Sequence, residues 1–234
     1  MQCQKCENTA VYNRKYSGES LCSKCFSNSI LRKAAKTISK YKMIKNDELV
    51  VVGVSGGKDS LVLLSILKKM SETHNFRIIA VTIDEGIPGY RDEALEIVKS
   101  FCSKLDVEFK TYSYKELYDV TLSESLELRD EEKTTSCSIC GIFRRRALDH
   151  AAEELGANVI ATGHNLDDSL QTFLINTLSG DSNKIGWMSP GSDSKQIRKI
   201  KPLAEIYESE IVFYAFTNKL PFQTEPCPHM NEGI

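Results

Sequence analysis

Leu49-Val50-Val51-Val52-Gly53-Val54 runs directly into Ser55-Gly56-Gly57-Lys58-Asp59-Ser60, and this stretch decides the fold. Its first half is a continuous β-branched run, the pattern of a strand buried on both faces. Its second half is a glycine-rich turn, and a helix is expected over Ser60–Met70. Working outward, strands are expected at Arg77–Ile83, Val107–Tyr112 and Asn158–Thr162. Helices are expected at Arg91–Leu105, in a segment ending near Gly156, at Asp167–Leu178 and over 205–219. Strands alternating with helices imply an α/β fold, a doubly wound parallel sheet. Residues 180–201, with several Gly, Ser and Lys, are expected to be a loop, and no internal repeat is present.

In such sheets ligands sit at the carboxyl ends of the strands, with the first strand-to-helix turn favoured. Gly56 and Gly57 let backbone N–H groups approach an oxyanion closely. The helix beginning near Asp59 points its positive end at the same place, and Lys58 adds a full charge. The spacing is shorter than the Gly-x-x-x-x-Gly-Lys of the Walker loop. Read as structure alone, the stretch is a tight turn with an incidental lysine. A second edge segment, Gly163-His164-Asn165-Leu166-Asp167-Asp168, follows the last expected strand and opens a helix. Asp167 and Asp168 suit either a Mg²⁺ ion bridging phosphates or a helix cap.

Eight cysteines in a chain without an export signal point to metal or thiol chemistry, because six of them form three Cys-x-x-Cys pairs. Cys3, Cys6, Cys22 and Cys25 fit a closed Cys₄ structural zinc site. Residues 1–27 are too small to bury a core of their own, so a metal is physically required there. Cys137 and Cys140 are expected on a loop before a basic helix, Gly141–Leu155. Cys227 is the remaining cysteine expected in an exposed loop. These three thiols could hold a [4Fe–4S] cluster with one open iron, form a disulfide or persulfide relay, or bind zinc together with His229. Cys102 falls on the apolar face of its helix and reads as core.

Residues 28–46 read as an amphipathic helix with Leu31, Ala34, Ile38 and Tyr41 on one face. Arg32, Lys33, Lys36, Lys40, Lys42 and Lys45 occupy the others, with no acid before Asp47. This stripe, Arg144-Arg145-Arg146 and Lys195 to Lys201 are expected to contact RNA phosphates. The formal net charge of −2 gives the whole molecule no polyanion-binding field, so such contacts must be local. No apolar run approaches the ~20 residues of a membrane span, and the N-terminus is polar, so the chain reads as cytoplasmic with no membrane partner.

Over residues 48–180 the hexapeptide Ser55–Ser60 resembles the PP-loop of N-type ATP pyrophosphatases, with their HUP-like fold. Together with the four-Cys finger, the central Cys-x-x-Cys, the late Cys227 and Asp84-Glu85-Gly86-Ile87-Pro88-Gly89-Tyr90-Arg91, the chain resembles TtuA/TtcA-type tRNA 2-thiolation enzymes. It lies nearest the TtuA and wobble-uridine thiolase side. The resemblance implies that Cys137, Cys140 and Cys227 ligate a [4Fe–4S] cluster. It places Val54, Ser55, Gly56, Gly57, Lys58, Asp59, Ser60, Ile83, Arg144, Gly163 and Asp168 at the ATP site, with Asp168 as the magnesium ligand. Lys58, Asp59 and the three cysteines are then the catalytic residues. Members of the group often carry Lys at the Arg144 position.

The implied reaction adenylates the uracil 2-oxygen and inserts sulfur, taken as sulfide or from a thiocarboxylated ubiquitin-like protein, into tRNA. A homodimer is also implied. The organisation expected is a zinc finger over 1–27, a basic linker helix over 28–46 and a catalytic domain over 47–234. The group's members usually carry a second four-Cys finger, and the sequence ends seven residues after Cys227 without one. The competing readings are a PP-loop enzyme that amidates or ligates a small metabolite, a cytidine- or persulfide-type thiolase, and a non-enzymatic zinc-finger RNA adaptor.

Overall fold

The computed structural model describes residues 1–129, 134–180, 182–186, 189–190 and 197–229. At the N-terminus β1 (Tyr12–Arg14) and β2 (Glu19–Leu21) pair as an antiparallel hairpin, and α1 (Ser23–Lys40) follows. The helix expected over 28–46 starts five residues earlier, inside the second cysteine pair, because Cys22 caps it: its Sγ accepts the Cys25 N–H at 3.5 Å. It also stops earlier. Lys42 takes a left-handed φ of 49°, and Met43, whose N–H bonds to the Ile38 carbonyl at 2.9 Å, turns into the core.

Five parallel strands follow, β3 (Glu48–Gly53), β4 (Phe76–Asp84), β5 (Glu108–Ser113), β6 (Val159–Ala161) and β7 (Arg198–Ile200), in the order β5-β4-β3-β6-β7. Between them run α2 (Lys58–Ser71), α3 (Tyr90–Leu105), α4 (Tyr114–Tyr118), α5 (Leu122–Glu127), α6 (Ser136–Glu154), α7 (Leu166–Leu178) and α8 (Ser182–Gly186), and α9 (Glu208–Thr217) closes the fold. The period-2 alternation of β3 splits the core. Val50 and Val52 pack with Leu63, Val98 and Ile211, whereas Leu49 and Val51 pack with Ala147 and Ala151. The doubly wound parallel sheet expected from the sequence is the sheet observed.

Strand order reverses between β3 and β6, which makes the crevice at their carboxyl ends the place for a ligand. Two expectations fail nearby. Residues 180–201 are not all loop, since they contain α8 and the edge strand β7, whose three residues are too few to show a strand period. Cys137 and Cys140 do not precede a helix but lie in the first turns of α6, where the Thr135 hydroxyl caps the Ser138 N–H at 3.3 Å.

The cysteine module is fastened to α9. Tyr12, Phe26 and Phe213 form a ring cluster with centroids 4.4 to 4.8 Å apart. Glu210, fully buried, pairs with Arg14 at 2.7 Å and Lys33 at 2.8 Å and accepts the Tyr16 hydroxyl at 3.0 Å. Lys40 pairs with Glu205 at the surface, so two of the six cations in the basic stripe have carboxylate partners within the chain. Lys195 lies outside the described residues. No helix among the described residues is long and apolar enough to cross a membrane.

Candidate active site: two adjoining chambers and a four-cysteine module

At the reversal of strand order β3 delivers the glycine loop and β6 delivers Gly163, and the two loops meet. Gly56 has φ +89°, and a Cβ there would stand 2.9 Å from that of Ala94. A Cβ on Gly163 would stand 3.0 Å from the Ser60 nitrogen and the Asp59 carbonyl carbon. Both positions therefore require glycine, one for backbone conformation and one for close approach. Ser60 braces the loop: its Oγ accepts the Ser55 N–H at 3.2 Å and donates to the Gly57 carbonyl at 2.8 Å.

The cavity so formed holds about 330 Å³. Its apolar lining includes Val54, Val81, Ile83 and Leu148; its polar lining includes Ser55, Asp59, Ser60, Arg144, Gly163 and Asp168. A mixed lining of this kind beside a helix N-terminus suits a ligand with an apolar ring and anionic groups. Eight of the eleven residues expected at the nucleotide site line this cavity. Gly56, Gly57 and Lys58 do not. Lys58 turns to the rim, 3.0 Å from Asp59 and 2.7 Å from Glu208. Burial works against its charge, but the two carboxylates outweigh it and raise its pKa above the ordinary lysine value.

The paired aspartates separate into different roles. Asp167 accepts the Glu208 N–H at 2.6 Å and so anchors the start of α9. Asp168 closes a capping box with Asn165 yet still faces the cavity. Asn165 in turn donates to Asp59 at 3.1 Å, tying the second loop to the first.

A second chamber, of about 470 Å³, collects Cys137, Cys140 and Cys227 with His229, Ser136 and Tyr90. It shares Ser55, Arg91 and Arg144 with the first chamber, so those three residues are the common wall. The late segment carrying Cys227 is held by Gln223, whose N–H bonds to the Gly56 carbonyl at 3.0 Å and whose side chain donates to the Tyr90 carbonyl at 2.8 Å. Cys140 is buried, which pushes its thiol pKa up, with the Arg144 guanidinium acting in the opposite direction.

All eight cysteines are free thiols. Among the described residues, Cys3, Cys6, Cys22 and Cys25 form the group whose ligand atoms lie within 4.8 Å of one another. A tetrahedral zinc with Zn–S near 2.3 Å needs sulfurs only ~3.8 Å apart, so this group suits one ion. The three thiols with His229 are not drawn together so closely, and a single ion shared by all four fits them poorly. A larger cluster fits better on three counts. Its donors are all thiols, the cavity has room, and the Ser136 hydroxyl is buried there with no hydrogen-bond partner. The positive end of α6 also faces the same chamber with Cys137 and Cys140 in its first turns. Cys102 is core, 1 % exposed, its pKa raised by burial to about 11.

Sequence reasoning missed Arg91, Glu85, Leu148 and Gln223. Arg91 and Glu85 lie in the Asp84–Arg91 stretch, where nothing in the sequence singles them out for a role. Nothing local marks Leu148 or Gln223.

The sheet order, the loop at its switch point and the cavity beneath it define an α/β protein of the PP-loop class. Residues 27–231 match the family described as PP-loop domain, and the chain belongs to that family. Residues 2–27 match the N-terminal LIM domain of 2-thiouridine synthetase TtuA. Among similar proteins are two named cytoplasmic tRNA 2-thiolation protein 1. The one from Drosophila sechellia is 40% identical over 228 residues, covering 95% of this chain and 66% of the relative. The one from Chlamydomonas reinhardtii is 39% identical, covering 96% and 64%. The chain thus spans just under two thirds of the length of these relatives. The U34-tRNA thiolase NcsA from Methanococcus maripaludis, solved with its [4Fe–4S] cluster, superposes with a TM-score of 0.86 at 33% identity, covering 98% of this chain and 75% of that one.

Proposed function

We propose that this chain is an ATP-dependent tRNA 2-thiouridine synthase of the cytoplasm that adenylates the uracil 2-oxygen and replaces it with sulfur. One observation carries the reading: the nucleotide cavity and the three-cysteine cavity share Ser55, Arg91 and Arg144 as a wall. Activation and sulfur delivery must act on the same carbon, so their sites must adjoin.

Backbone N–H groups of the loop and the start of α2 hold the β- and γ-phosphates. Lys58 leaves Glu208 to meet the charge growing on pyrophosphate as the uracil oxygen attacks the α-phosphorus. Asp168, with its capping-box partner fixing its rotamer, holds Mg²⁺. AMP then leaves carbon 2 as sulfur enters. Cys137, Cys140 and Cys227 would hold a [4Fe–4S] cluster, which would supply Lewis-acid chemistry for sulfur delivery when bound. Zinc in the four-cysteine module is structural, because four thiolates leave it no open position. The exposed cations Arg32, Lys36, Lys42, Lys45, Arg145 and Arg146 meet tRNA phosphates.

The test combines pyrophosphate release with sulfur incorporation into bulk tRNA, using sulfide as donor and anaerobically reconstituted protein. Pyrophosphate release should depend on tRNA. Cys137→Ala should abolish thiolation and keep nucleotide binding. Pyrophosphate release driven by a small amine acceptor without tRNA would instead select the amidating reading.

A further inference from the structure

Glu85 follows β4 and is 2 % exposed, yet no part of the adenylation step above uses it. Its two carboxylate oxygens point to different arginines. Oε1 lies 2.9 Å from Nη2 of the half-exposed Arg144, and Oε2 lies 3.0 Å from Nε of Arg91, an ion pair in which neither atom is in hydrogen-bond geometry. Each arginine carries the connection onward. Nη2 of Arg144 also reaches the Cys140 Sγ at 3.2 Å. Arg91 donates through Nη1 to the Ser55 carbonyl at 2.9 Å, where the glycine loop begins, and through Nη2 to the carbonyl of Ile83 beside the nucleotide cavity.

One buried carboxylate therefore stands between the cysteine chamber and the loop. A carboxylate shared by two guanidiniums offsets the repulsion between their charges and holds both within ion-pair distance. A buried carboxylate is costly unless it is paired in this way. A helix face or loop that needed only stability could be built from apolar groups. We propose that Glu85 is a positioning residue of the shared wall: it holds Arg144 where it serves nucleotide and Cys140 together, and through Arg91 it sets the start of the phosphate loop. The proposal rests on the nucleotide reading of the first chamber, and it assigns to the wall a task that the reaction scheme leaves open.

The test is a double-mutant cycle on cluster-free protein, reading the Kd of a non-hydrolysable ATP analogue for wild type, Glu85→Gln, Arg144→Met and the double variant. Glutamine keeps the shape but presents an N–H₂ toward one guanidinium, so Arg144 should swing away. The expected loss for Glu85→Gln is about tenfold or more, the order of one misplaced charge-assisted hydrogen bond. In the double variant the loss should fall well short of the product of the single losses. Wild-type affinity in Glu85→Gln, or losses that multiply, overturns the proposal. If Glu85→Gln does not fold, Glu85→Asp replaces it. Aspartate keeps the charge but is one methylene too short to span both arginines, so it should fold and still lose affinity; wild-type affinity there also overturns the proposal. A second reading comes from reconstituted protein, where loss of the Arg144 N–H···S contact should make the cluster's reduction potential more negative while iron content holds. An unchanged potential counts against the wall's cysteine-facing half. If wild-type protein fails to bind the analogue at all, the nucleotide reading itself falls, a result distinct from the others.

Discussion

Glu210 on α9 and Arg14 on the β1 strand of the cysteine module meet at 2.7 Å, with both side chains almost wholly shielded from water. The module is thereby part of the scaffold. The same first turn of α9 carries Glu208, the partner of Lys58. Breaking a buried pair strands the surviving charge, at a cost of about 3–5 kcal/mol. Glu210→Ala leaves Arg14 and Lys33 without their shared partner, and its denaturant midpoint should fall accordingly. A midpoint near wild type would mean that Glu19, the second partner of Arg14 at 2.6 Å, suffices.

Metal removal tests the module from its other side. The Cys3 thiol pKa is lowered to about 6: burial raises it, but backbone N–H groups of Cys22, Lys5 and Cys6 and the Cys6 thiol outweigh that effect. Metal binding requires thiolates, and the neighbouring Cys6 thiol together with burial pushes Cys25 up to about 12, so protons compete for the site and affinity should drop steadily as pH falls. Zinc occupancy followed by dialysis from pH 7.5 to 5 should show that release. Chelation at neutral pH should raise amide exchange in α1 and at the α9 face it packs on, while β3 and β4 stay protected.

Much of this was legible in the sequence, and the reason differs by region. Val50, Val51 and Val52 announce a strand buried on both faces because a parallel sheet covered by helices leaves no polar face. Gly56 announces a tight strand-to-helix turn, and its φ of +89° beside Ala94 is the reason that glycine stands there. The start of α1 was hidden because Cys22 caps it with sulfur, outside the usual set of capping side chains. Cys137 and Cys140 were misplaced on a loop because the helix signal read there was basic periodicity, whereas the true start is the Thr135 cap. The Glu85–Arg144 contact joins residues 59 apart in the chain, and no local pattern reports such a pairing.

The edge strand β7 is held by chemistry that responds to pH. Arg198 donates two hydrogen bonds to Glu48, at 2.7 and 2.6 Å. Burial alone would raise the Glu48 pKa, but Arg198 and the Lys45 N–H outweigh it, so the carboxyl titrates below its ordinary range. A carboxylate with a depressed folded-state pKa stabilises the fold above its unfolded pKa, and that stability disappears as pH falls through the folded value. Arg198→Ala should cost about 2 kcal/mol at pH 7 and much less at pH 3, read by denaturant midpoints at both. An equal cost at both pH values would assign the loss to packing.

The glycine loop makes a separable prediction, because Gly56 is constrained twice. Its φ of +89° strains any residue with a Cβ, and the Cβ would also press on that of Ala94 at 2.9 Å. Gly56→Ala should destabilise by about 1–3 kcal/mol and raise the KM for ATP, since the Gly56 carbonyl also holds Gln223. Ala94→Gly removes the closest contact but leaves the Ala94 Cα and carbonyl oxygen 3.2 and 3.3 Å from that Cβ, along with the backbone strain. Gly56→Ala made in the Ala94→Gly background should therefore cost less than in wild type while keeping a residual cost of at least about 1 kcal/mol. If the cost is undiminished there, the Ala94 methyl carries none of the constraint; if it vanishes, the methyl carries all of it. Thermal melts of the four proteins, paired with nucleotide titrations, separate the two, because strain acts on stability and loop displacement acts on the affinity for phosphate.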